Sequence, residues 1–148
     1  MLHLLKEKFK NVLISHKVWK EFVERGKLEG HPDAYLVEEA INKGWIRVEE
    51  IDEGEASKLA KAFKMRVGEA EALLLAKKRD IPILLDQTHA REAAKALKLT
   101  PRGTIYVLRL AYRNQLISKE KYLKSIDELV ENNFRISVEV YKEAIKIK

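Results

Sequence analysis

The chain has 148 residues, 46% hydrophobic and 35% charged, with 29 Lys and Arg against 23 Asp and Glu for a formal net charge of +6. That length suits one domain with a real core, and the balance is that of a globular rather than a disordered protein. Cysteine is absent, which excludes disulfides, thiolate metal sites and thiol nucleophiles.

No apolar run is long enough to span a bilayer, and Met1-Leu2-His3-Leu4-Leu5-Lys6 turns polar too soon for a secretory signal. Together these features point to the cytoplasm and away from a membrane. The basic excess favours a polyanionic partner, above all nucleic acid. It is spread widely, however, and much of it stands beside Glu on helices, as on any salt-bridged surface. Abundant Lys and Glu without Cys also fits a hyperthermophile.

Leu2 to Phe9 is predicted helical, and Asn11 to Ser15, with Val12-Leu13-Ile14, a short apolar strand. Lys17 to Arg25 is predicted to be an amphipathic helix burying Val18, Trp19, Phe22 and Val23 and stopped by Gly26. Pro32 opens a helix after His31, and Gly44 ends it. Trp45 to Ile51 alternates weakly as a strand, and Glu55 to Lys64 is a helix with Leu59, Ala60 and Phe63 inside.

Gly68 to Arg79 is a largely buried helix with two carboxylates, Glu69 and Glu71, in its first turn. Ile81 to Asp86 is a continuous apolar run, the pattern of a strand covered on both faces. Helices follow over Thr88 to Leu97, Gly103 to Arg113, Ser118 to about Asn132 and Ser137 to Ile145, with a short extended piece at Leu99 to Pro101. There is no linker or internal repeat, so residues 1–148 read as one domain. Strands separated by helices imply an α/β fold with a mainly parallel sheet, whose sites form outside the C-terminal ends of the strands.

Asp86 lies at such an end. It is either a ligand in the crevice or the cap of the helix starting near Thr88. Acids beside apolar surface need a partner, and a divalent cation with oxygen ligands is one. Glu69 and Glu71, two apart, point to nearly opposite sides of a helix. With Gly68 as N-cap, Glu71 takes the third helical position, where a capping-box carboxylate sits. Glu21 flanks the apolar face of its helix among Lys17, Lys20 and Glu24, as a surface ion-pair residue also would. The four histidines show no metal-ligand spacing. His89 and Arg91, close after Asp86, can reach a substrate phosphate or simply occupy the surface.

The order Gly68-Glu69-Ala70-Glu71-Ala72, then Ile83-Leu84-Leu85-Asp86 with Arg91 downstream, then Gly103-Thr104-Ile105 before a helix, resembles the PIN-domain family. More closely it resembles a prokaryotic branch described as predicted nucleic-acid-binding proteins. Lys17-Val18-Trp19-Lys20-Glu21-Phe22-Val23 resembles that branch's early acid-bearing helix, and Phe134-Arg135-Ile136-Ser137 its last helix. The resemblance implies a three-layer α/β/α sandwich and a metal-dependent ribonuclease, often the toxin of a toxin–antitoxin pair. It implies magnesium or manganese held by Glu21, Glu71 and Asp86, with Glu69 matching a further acid common in the branch, and RNA bound through Arg91 and His89. It also favours Glu71 as ligand over Glu71 as cap.

Two departures bear on activity. The family begins with a central apolar strand ending in an aspartate, and no segment here matches it. Gln87 stands where the branch often has a second acid. The expectation is a PIN-like domain lacking its first strand, with weak or absent metal binding and reduced or lost nuclease activity. The strands around Val12-Ile14 and Ile83-Leu85 are then expected either to pair directly or to accept a strand from another chain. The alternatives are a non-catalytic module binding nucleic acid or a protein such as an antitoxin, and a homo-oligomeric structural protein.

Overall fold

The computed structural model describes residues 2–147. The chain divides into two compact units, Met1–Arg102 and Gly103–Lys148.

The first unit begins with α1 (Leu2–Lys8) and β1 (Val12–Ser15). A continuous helical run then changes pitch twice, through α2 (His16–Trp19), a π-helical stretch (Lys20–Glu24) and α3 (Arg25–Leu28). Ser15 caps it, its Oγ accepting from the Val18 N–H at 3.3 Å. A π turn holds more residues than an α turn, so side chains within it rotate off the 3.6-residue stripe. Val23 is accordingly buried, whereas Phe22, expected inside, is 48% exposed.

Gly26 does not stop this helix. It is buried within α3, and a Cβ there would lie 3.0 Å from Ala34 Cβ, so its smallness gives α4 (Pro32–Asn42) room to approach. The helix ends at Gly30, whose φ of +77° is left-handed. Gly30 N–H donates to Lys27 O and His31 N–H to Gly26 O, the paired bonds of a Schellman terminus. Lys27 also reaches across to Glu38 on α4 at 2.7 Å.

β2 (Ile46–Glu49) runs parallel to β1, with Val12 opposite Ile46 and Ser15 opposite Glu49. There follow α5 (Glu53–Phe63), capped by Asp52, α6 (Val67–Arg79), β3 (Ile83–Leu84), α7 (Thr88–Ala96) and β4 (Pro101–Arg102). β3 and β4 pair in parallel. β3 is far shorter than the predicted Ile81–Asp86 strand. Its partner begins with Pro101, which has no N–H to continue a ladder, and Leu84 is 45% exposed rather than covered on both faces.

Both pairings are parallel and joined through helices, so the α/β class is as expected. The described strands form two separate two-stranded sheets, and β1 and β3 do not pair with each other. α6 packs against both of them and against α2 and α5. Its Leu73 and Ala76 enter a core with Ile83, Ala93 and Ala94, flanked by Leu59, Phe63, Leu85 and Leu97.

The second unit is α8 (Thr104–Arg113), α9 (Lys119–Glu131), capped by Ser118, and α10 (Val138–Ile145), capped by Ser137. Tyr122 and Ile126 are fully buried in it, and the Tyr122 hydroxyl donates to Ala144 O at 2.9 Å, tying α9 to α10.

Candidate active site

The first turn of α6 decides where its carboxylates go. The helix starts two residues earlier than expected, with Arg66 as N-cap. Glu69, not Glu71, is therefore the third helical residue, and its Oε2 accepts from the Arg66 N–H at 3.2 Å. An arginine side chain has no acceptor to complete a capping box, but its guanidinium lies 3.4 Å from Glu69 Oε1.

Glu71 is thereby released from capping its own helix. It is 7% exposed, and its Oε2 accepts from the backbone N–H of Lys17 at 3.0 Å. Lys17 is the second residue of α2, whose N–H has no acceptor within its own helix.

Glu21 stands one turn after Lys17, at the start of the π stretch. Its carboxylate lies against Gly68: an ideal Cβ on Gly68 would be 2.9 Å from Oε2, 3.4 Å from Cδ and 3.5 Å from Oε1 of Glu21. Gly68 and Glu71 are three apart and share a face of α6; Lys17 and Glu21 are four apart and share a face of the other helix. The arrangement is reciprocal. Each helix lays a carboxylate against the first turn of the other, where the partial positive charge of the N-terminus favours an anion. Glu21 and Glu71, fifty residues apart in sequence, thus each lie against the α2–α6 junction, which follows the C-terminal end of β1.

The residues after β3 form a neighbouring cluster. Asp86 is exposed, and the N-cap position of α7 falls on the next residue, Gln87. Arg91 Nη1 donates to Leu85 O at 2.8 Å, so the guanidinium fixes the backbone immediately before Asp86. His89 donates through Nε2 to Phe63 O at the end of α5. Among the described residues no three Asp, Glu or His side chains are grouped closely enough to hold one metal ion. Glu21 and Glu71 both line the α2–α6 junction, while Glu69 is engaged with Arg66 and Asp86 belongs to the loop after β3.

Carboxylate oxygens are the donors a hard cation takes, and magnesium is commonly held by one or two carboxylates with waters and substrate phosphate. The notch at Gly68, which a Cβ would fill, accommodates one of the two. Glu21 and Glu71 therefore carry donors of the type a divalent cation takes. What the sequence did not disclose is the part played by Lys17 and Gly68, although their spacings to Glu21 and Glu71 were a signal.

No curated protein and no solved structure matches this chain. The family described as DUF3368, PIN domain, matches it over residues 1–148, and the chain belongs to that PIN-domain family.

Proposed function

We propose that this PIN domain is a magnesium- or manganese-dependent ribonuclease of low activity, hydrolysing phosphodiester bonds in RNA. Family membership supports nuclease-type chemistry on nucleic acid in general. The observation that carries the narrower reading is that Glu21 lies against Gly68 of α6 while Glu71 lies against Lys17 of α2, so both carboxylates line the α2–α6 junction.

The cation, when bound, supplies Lewis-acid stabilisation of the phosphodiester and an activated water. Glu21 and Glu71 would hold it, and the Lys17 N–H orients Glu71 by fixing Oε2. Asp86 stands apart from this pair, on the loop after β3 that Arg91 holds in place. Arg91 spends one of its five N–H donors on Leu85 O and offers the others to a phosphate; His89 flanks it. Two gathered carboxylates rather than three keep cation affinity, and hence turnover, low.

Incubating the purified chain with single-stranded RNA and manganese tests this. Slow cleavage, stopped by chelator and lost in Asp86→Ala, is the expected result. A second reading, a non-catalytic RNA-binding module, is favoured by the helix-terminal contacts that Glu69 and Glu71 make in any case. It predicts RNA binding indifferent to chelator and to Asp86, with no cleavage.

A further inference from the structure

Glycine in a helix is a stability cost that alanine removes. Gly68 lies within α6, and its φ is not in the left-handed range, so the backbone itself does not ask for glycine. What asks for it is space. The atoms a Cβ would meet are all in one carboxylate, that of Glu21, with the closest approach 2.9 Å, inside normal contact distance. They are the free end of a flexible side chain, so the helix can accept a Cβ and the carboxylate must swing away.

We propose that Gly68 is a positioning residue for the divalent cation: its missing side chain is the notch that keeps the Glu21 carboxylate over the first turn of α6, the helix that carries Glu71. The inference rests on the cation reading above. It assigns Gly68 no contact with the cation or with RNA; Gly68 acts through Glu21. It follows that Gly68→Ala moves binding and stability in opposite directions, because the same Cβ that improves the helix expels a ligand.

The test is manganese binding by the full-length chain, followed by the electron paramagnetic resonance signal of free Mn²⁺, with thermal melts on each variant. Wild type is compared with Gly68→Ala, Glu21→Asp and the double variant Gly68→Ala/Glu21→Asp. The aspartate is shorter by one carbon, about 1.5 Å, and restores clearance from the new Cβ. The expected result is at least tenfold weaker binding by Gly68→Ala, with an unchanged or higher melting temperature, and partial recovery in the double variant although Glu21→Asp alone weakens binding. Wild-type affinity in Gly68→Ala overturns the proposal while leaving the cation reading intact. Weak binding with a lowered melting temperature and no recovery in the double variant overturns it too, since Gly68 then serves only the fold. A wild-type chain that binds no manganese removes the cation reading itself, and this proposal with it.

Discussion

The backbone N–H of Lys17 donates to Glu71 Oε2 across 3.0 Å, joining the first turn of α2 to α6 over a separation of 54 residues. One carboxylate thus has a structural duty and a proposed chemical one, and substitutions can separate them. Glu71→Ala leaves the Lys17 N–H without its acceptor in a part-buried setting and is expected to cost about 1–2 kcal/mol. Glu71→Gln keeps an amide oxygen for Lys17 but removes the charge, and is expected to cost about 1 kcal/mol or less. Urea denaturation of the two variants gives the comparison. Equal destabilisation by both places the weight on the charge rather than on the hydrogen bond.

Asp86 offers the converse case. It is exposed, and interactions of exposed charges contribute little, so Asp86→Ala is expected to change stability by no more than about 1 kcal/mol while abolishing cleavage. Melting curves and an RNA assay on the same preparation decide this. A large loss of stability makes Asp86 a structural residue.

How legible the site was from sequence depends on the residue. Helices were easy to locate because caps and periodicity are local: Ser118, Ser137 and Pro32 stand where their helices begin. Gly26 misled because a glycine breaks a helix in one setting and admits a neighbour in another, and only the position of Ala34 decides between them. Phe22 misled because a π stretch breaks the period on which burial was predicted. The apolar run Ile81 to Asp86 indicated a strand, but strand length is set by the partner, and Pro101 limits it. Asp86 was recognisable as a residue near a strand end. The reciprocal contacts of Glu21 with Gly68 and of Glu71 with Lys17 were not legible, since they depend on where α2 and α6 pack. A shift of the α6 start by two residues moved the capping role from Glu71 to Glu69.

Surface charge pairs give a pH-dependent prediction. The Glu29 carboxyl is held below its usual range, first by its hydrogen bond from Arg25 and then by the charge of that guanidinium. A carboxyl lowered in the folded state adds stability that is complete above its unfolded pKa and lost as the pH falls through the folded value. The melting temperature of Glu29→Gln is therefore expected to lie slightly below wild type near neutrality, with the gap closing in acid and shrinking with added salt. A gap that persists in acid contradicts the assignment.

In the second unit, Tyr122→Phe removes the donor that reaches Ala144 O from a fully buried ring. The expected loss is about 1–2 kcal/mol, because the ring's packing survives and only the hydrogen bond goes. Hydrogen exchange localises the effect, with faster exchange expected in α9 and α10. No change in exchange there dissociates the hydroxyl from the stability of this unit.

The proposal that Glu21 and Glu71 would hold a cation required for RNA cleavage is tested most directly by the rate of single-stranded RNA cleavage against manganese concentration for wild type and Glu71→Gln, each verified as folded by circular dichroism. The prediction is a wild-type rate that rises with manganese and falls at least tenfold in Glu71→Gln. A rate that is independent of manganese, or unchanged by the substitution, contradicts it.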